Sequence, residues 1–254
     1  MSFFYTLRIY RGNPSQQHWE DFFLDLVEGE NVISALMRLR KKPVNAKGEA
    51  VLPVVWEDGC LEEVCGSCSM LIDGHPRQAC TALIANLLKG KKQPVITLAP
   101  LSKFPLVRDL IVDRSQMFDN LKKMQAWIAV DDYQDPHTVE PMNPRTEQLR
   151  YVLSKCITCG CCSEACPQIG PRSSFIGPAA IAQAWLFDLH PVGALQADER
   201  RRQLMGKDGV ASCGSAQNCV RVCPKHLPLT EAIGAMAKEV GEQAIKDWLS
   251  PQTD

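Results

Sequence analysis

The sequence predicts an α+β chain in two parts, a small mixed β-sheet crossed by a helix and then an all-α region. Three observations predict it. Strand-like alternation and a tight-turn signal are confined to residues 1–105. From about residue 106 the apolar spacing turns helical. The 254 residues also exceed a typical single domain, and the halves differ in character, so the division is placed at 1–105 and 106–254.

Taken in order, residues 4–10 (FYTLRIY) and 18–27 (HWEDFFLDLV) read as paired strands. Residues 31–40 (NVISALMRLR) have helical spacing with Asn31 as N-cap. Residues 51–56 follow, then the hairpin SMLIDGHPRQA, whose Asp73-Gly74 pair signals a two-residue turn, and the closing strand PVITLAP. Strand pair, helix, cysteine loop, hairpin and closing strand have the outline of a β-grasp ferredoxin. The helical segments are DRSQMFDNLKKMQAWIAV, TEQLRYVLSK, AAIAQAWLFDLH, ADERRRQLM and TEAIGAMAKEVGEQAIKDWL. Between the first two, the polar, proline-containing stretch 131–145 reads as a surface loop.

The 12 cysteines fall into three runs: CLEEVCGSC at 60–68 with Cys80 beyond it, CITCGCCSEACP at 156–167, and CGSAQNCVRVCP at 213–224. The first is C-x4-C-x2-C with a distant cysteine, the spacing that holds a two-iron, two-sulfide centre in plant-type ferredoxins; Cys60, Cys65, Cys68 and Cys80 are its ligands. The second and third share the bacterial ferredoxin frame C-x2-C-x2-C-x3-C-P, except that Ala216 replaces one cysteine of the third. In two-cluster ferredoxins the last cysteine of each run ligates the other run's cluster. By that rule Cys156, Cys159, Cys162 and Cys223 complete a four-iron site. Cys166, Cys213 and Cys219 lack a fourth thiolate, which predicts a three-iron cluster.

Two other uses of cysteine compete. Disulfides would need an exported protein, and MSFFYTLRIY lacks the apolar core and cleavage site of a signal peptide. Zinc is the stronger rival because C-x2-C pairs suit it, yet zinc gives no reason for two matching frames with a gap in one. Cys161 reads as a small buried residue rather than a ligand.

No apolar stretch approaches the ~20 residues that cross a bilayer, so attachment to a membrane would come through a partner. A net charge of −1 gives no sign of nucleic-acid binding, and Lys89, Lys91, Lys92, Arg200, Arg201 and Arg202 read as solvated faces. Neither GxGxxG nor a P-loop occurs, so flavin or nicotinamide belongs elsewhere. His75, His190 and His226 have no paired carboxylate and read as surface or loop residues; Trp127 and Trp185 read as core or interface.

The order of these blocks, with NVISALMRLR, CLEEVCGSCSM, HPRQACTAL, LSKFPLVRDLIVDRS, SFIGPAA and CPKHLPL, resembles the iron-sulfur subunit of succinate dehydrogenase or fumarate reductase, respiratory complex II, nearly end to end. The resemblance is fuller to bacterial members of the dihaem, menaquinone-using type. It implies a subunit held between a FAD-bearing catalytic partner and a haem-containing membrane anchor, on the cytoplasmic face of the bacterial inner membrane. Electrons would pass from flavin to the two-iron, four-iron and three-iron centres and on to quinone, or run in reverse to fumarate. This chain would then hold no catalytic residue of its own. Gly59, Gly66 and Ser67 are candidates to offer backbone N–H groups to the two-iron centre, with the glycines equally able to serve only the loop's shape.

Ubiquinone-reducing members carry a tryptophan pair after the first Cys-Pro and a histidine after the first cysteine of the last run. Here Gln168-Ile169 and Gly214 stand there, which favours menaquinone. Two rivals are a related flavoprotein complex and a free multi-cluster ferredoxin. Ala216 argues against the first, and the many helical residues around the cysteine runs against the second.

Overall fold

Alternation along the first strand decides where the N-terminal core lies. β1 (Phe4–Asn13) buries Tyr5, Leu7 and Ile9 and turns Phe4 and Arg8 outward. It pairs antiparallel with β2 (Gln16–Asp25), from Phe4 opposite Asp25 to Asn13 opposite Gln16. The strands run closer to their turn than the apolar pattern implied, because Asn13 Oδ1 accepts the N–H groups of Ser15 and Gln16 and closes the reversal. Gly12, at φ 125°, allows it: a Cβ there would collide with the Gln16 carbonyl.

The computed structural model describes residues 3–128 and 142–249. Chain contacts separate it into two units, residues 1–114 with 157–165, and residues 115–156 with 166–254.

In the first unit, α1 (Val32–Lys41) is capped by Asn31, whose side chain accepts the Ser34 N–H at 2.9 Å. The helix buries Val32, Ile33, Ala35, Leu36 and Leu39 in one cluster with Tyr5, Leu7, Ile9 and Phe22. β3 (Ser69–Ile72) and β4 (His75–Gln78) meet at Asp73-Gly74, both in left-handed conformation at φ 50° and 77°, as a two-residue hairpin demands. A short α2 (Ile84–Leu88) leads to β5 (Val95–Ala99), which runs parallel to β1 and antiparallel to β3. The strand order is therefore β2-β1-β5-β3-β4, the mixed sheet expected.

Helical spacing sets in later than residue 106. β6 (Leu106–Arg108) and β7 (Ile111–Val112) first make a small hairpin around Asp109, which is 3% exposed at φ 48°. Its carboxylate accepts the N–H groups of Gly12 at 2.9 Å and Val55 at 3.0 Å. The bond to Val55 helps hold residues 51–56, which form no regular element. α3 (Ser115–Lys123) begins the helical region, and α4 (Pro144–Leu153) opens with Asn143 as N-cap. Pro144 and Arg145 thus start a helix rather than end a loop; residues 131–141 of the expected loop, and residues 129–130 of the first helical segment, lie outside the described residues. α5 (Cys161–Ala165) belongs to the first unit, where buried Glu164 accepts from Ser102 Oγ at 2.6 Å and Lys103 N–H at 3.0 Å.

The second unit is built on α6 (Pro178–Asp188), buried along nearly its whole length by small residues that admit close neighbours: Ala179, Ala180, Ala182 and Ala184. α7 (Ala197–Gln203), α8 (Asn218–Arg221) and the 21-residue α9 (Leu229–Leu249) complete it, with α9 packed against α6 and α7. One solvated-face expectation fails here. Arg200 is 0% exposed, paired with Asp188 at 2.7 Å and donating to the carbonyls of Gln125, Gly193 and Trp127. Burial of an arginine is tolerated because each of its three guanidinium nitrogens donates to a partner. Trp185 is buried as expected, Trp127 stays half exposed, and His190 caps its own loop by accepting the Val192 and Gly193 N–H groups.

Candidate metal centres

The loop at 60–68 is curled by left-handed backbone at Leu61 (φ 61°), Glu63 (φ 57°) and Gly66 (φ 75°), two of the three being non-glycine residues that take this conformation at a cost. The curl turns successive N–H groups inward. Glu62, Val64 and Cys65 donate to Cys60 Sγ at 3.3, 3.2 and 3.2 Å. Cys60 and Ser67 donate to Cys65 Sγ at 3.4 and 3.5 Å, and Glu63 donates to Cys80 Sγ at 3.3 Å. Such a nest of donors around sulfur suits thiolates, and so suits an anionic cluster held by them.

The four sulfurs are not equivalent. Cys65 is exposed, and the Ser67 hydroxyl, with N–H groups of Cys60 and Ser67, draws its thiol down to about 6. Cys68 is buried, and desolvation pushes its thiol up to about 12. Its sulfur faces the side chain of Gln78, a residue the sequence did not single out: Cys68 Sγ donates to Gln78 Oε1 at 3.4 Å. Gln78 Nε2 in turn donates to Ser69 Oγ at 2.7 Å and toward Cys161 Sγ at 3.7 Å.

Of the expected N–H donors, Ser67 acts as one, whereas Gly59 and Gly66 do not feature among the donors to sulfur. Gly66 has the other role: a Cβ there would stand 2.5 Å from the Ile157 carbonyl and 3.0 Å from Cys159 Cα, so glycine lets the two cysteine loops of this unit touch.

In the second run Thr158 (φ 48°) and Gly160 (φ 84°) bend the chain before α5. Cys159 and Cys162 are buried, and the Cys161 thiol, fully buried beside them, draws Cys159 down to about 7 by hydrogen bonding against the opposing effect of burial. In the third run Ser215 (φ 53°) and Gln217 (φ 58°) wrap the chain around a small cavity. Cys166, Cys213 and Cys219 line it together with Ala216, Gln168 and Gly214. Burial, and then the proximity of Cys166 and Cys213, pushes the Cys219 thiol up. A Cβ on Gly214 would overlap the Gln168 amide, so Gln168 fills the room beside that glycine. Cys156 is half-buried, and buried Cys223 accepts the Leu227 N–H at 3.4 Å.

Residues 6–119 match the family of 2Fe-2S iron-sulfur cluster binding domains, and residues 152–227 match the 4Fe-4S dicluster domain. Over 229 residues the chain is 50% identical to the succinate dehydrogenase iron-sulfur subunit of Bacillus subtilis, covering 90% of this chain and 88% of that one. It belongs to the iron-sulfur subunits of succinate dehydrogenase and fumarate reductase. The fumarate reductase iron-sulfur subunit of Wolinella succinogenes is 30% identical over 243 residues, 92% of this chain and 96% of its own. The fold is that of a chain in the Mycobacterium smegmatis Sdh1 complex in the apo form, with TM-score 0.77 at 23% identity over 96% and 98% of the two chains.

As an iron-sulfur subunit of succinate:quinone oxidoreductase, the chain serves electron transfer. The α+β class holds: a two-iron ferredoxin domain on a mixed sheet, then a helical ferredoxin-like domain.

Proposed function

We propose that this subunit relays electrons between the FAD of a partner flavoprotein and menaquinone at a haem-containing membrane anchor, through three unlike iron-sulfur centres. Cys60, Cys65, Cys68 and Cys80 hold the two-iron centre; Cys156, Cys159, Cys162 and Cys223 hold the four-iron centre; Cys166, Cys213 and Cys219 hold a three-iron centre. Each centre supplies one-electron chemistry at a potential the protein sets through ligand identity, hydrogen bonds to sulfur and burial. This chain contributes thiolates and the donors around them. The dicarboxylate is handled on the flavoprotein.

The observation that carries the reading is the small cavity of the second unit: three cysteines converge on it, and the fourth place in the frame is the methyl of Ala216. Alanine cannot bind iron, so the donor set fits a cluster with one iron fewer. Among the described residues no helix is long and apolar enough to cross a membrane. The reading therefore assigns attachment to the anchor, at the cytoplasmic face of the bacterial inner membrane.

EPR of the purified complex, oxidised and then reduced stepwise, tests it. Three signals should emerge, with the three-iron signal already present in the oxidised state. Oxidised protein without that signal refutes the ligand assignment at Cys166, Cys213 and Cys219.

A further inference from the structure

Gln78 is a polar residue at a place built for apolar ones. It ends β4, is 0% exposed, and lies among Cys68 (3%), Ser69 (5%) and Cys161 (0%). Every bond its carboxamide makes is to a residue of the cysteine loops or next to one: Cys68 Sγ at 3.4 Å, Ser69 Oγ at 2.7 Å and Cys161 Sγ at 3.7 Å. A buried amide that satisfies itself only on these groups costs desolvation that an apolar residue would avoid, which points to a task at the sulfur.

The arrangement has two settings. With Cys68 as a thiol, its S–H donates to Gln78 Oε1, while Ser69 Oγ donates to the Gly66 carbonyl at 2.9 Å. A thiolate has no proton to give, and a carbonyl oxygen 3.4 Å from it would be repelled. A half-turn of the carboxamide exchanges its two ends, placing an N–H on the sulfur and the oxygen opposite Ser69 Oγ. The Ser69 hydroxyl can then donate to that oxygen. The Gly66 carbonyl it leaves keeps the Arg114 Nη1 donor at 2.9 Å. The exchange gives up only the long contact of the amide N–H to Cys161 Sγ at 3.7 Å, a weak acceptor.

We propose that Gln78 tunes the two-iron centre by donating a side-chain N–H to the Cys68 thiolate. This rests on the assignment of Cys68 as a ligand made above. The donor stabilises the form with more negative charge on sulfur, so it favours the reduced state and raises the potential. When bound, the two-iron centre would carry one electron at a time, and Gln78 forms no covalent bond and exchanges no proton. Because the amide is fully buried, water cannot take over its role when it is removed.

The test is an EPR-monitored redox titration of the two-iron signal in the intact complex, wild type against Gln78→Leu, which keeps the volume and removes the donor. At a fixed ambient potential near the midpoint, the reduced-to-oxidised ratio should fall about tenfold, a shift of about 59 mV for a one-electron couple. A variant that keeps the signal with an unchanged midpoint overturns the proposal, even if its thermal stability falls. A second measurement uses wild type alone: pulsed EPR of the reduced centre in complex labelled with ¹⁵N at glutamine side-chain amides should detect a coupled amide nitrogen. Its absence overturns the proposal, and so decides the matter if Gln78→Leu does not assemble. A wild-type complex with no two-iron signal at all would instead refute the ligand assignment beneath it.

Discussion

At position 216 a single methyl group stands where the repeated frame has a thiol, and it lines the same cavity as Cys166, Cys213 and Cys219. Ala216→Cys should supply the missing ligand with little steric cost, since the site already opens onto a cavity. Expected outcomes are loss of the oxidised three-iron EPR signal, appearance of a second four-iron signal on reduction, and a lower potential at that centre with slower quinone reduction. Retention of the three-iron signal in the variant would count against the site. The second and third cysteine frames, with the gap at Ala216, were legible in the sequence because each can be read within a dozen residues of chain. Gln78 and Arg200 were not. Gln78 meets Cys161 across 83 residues and Arg200 meets Gln125 across 75, and no periodicity within a short window records such contacts.

At the scale of elements, local chemistry decided what could be foreseen. Asn31 caps α1 through a bond of 2.9 Å to Ser34 N–H, as its position before an apolar-periodic run suggested. Asn31→Ala should cost about 1 kcal/mol, read as a lower midpoint in chemical denaturation of the complex, and no change in EPR signals is expected. The hairpin of β6 and β7 escaped because its strands are three and two residues long, too short for alternation to register, and it is held by the distant contacts of Asp109. Around α7, Arg200 ties three carbonyls and Asp188 into one buried network, and burial lifts the Asp188 carboxyl to about 6 despite its arginine partner. Arg200→Met removes the charge but leaves Asp188 buried without its closest cation, so the expected loss is about 3–5 kcal/mol. Thermal melts of the holo-complex would check this, and a melting temperature within a degree of wild type would contradict the role given to Arg200.

At the scale of the whole molecule, the proposed relay makes the subunit one station of a longer path, whose far end would set which quinone it serves. The cavity of the second unit is lined by Gln168 and Gly214, the positions at which the resemblance leads one to expect a tryptophan and a histidine in a ubiquinone-reducing member. On the proposed reading, a site without them would lack a stacking wall and a hydrogen-bond donor to orient a ubiquinone head group. A side chain at 214 would displace the Gln168 amide, the far end of an exposed, flexible side chain that can swing aside at little cost. The intact complex is therefore expected to turn over short-chain menaquinone analogues faster than matched ubiquinone analogues in steady-state assays. Gly214→His should raise the relative rate with ubiquinone, since the exposed Gln168 amide can swing aside to admit it, and pairing it with Gln168→Ala should raise that rate further. Wild-type complex that reduces ubiquinone clearly faster than menaquinone would show that the anchor supplies the missing groups, and that the residues beside Cys166 and Cys213 do not set the choice.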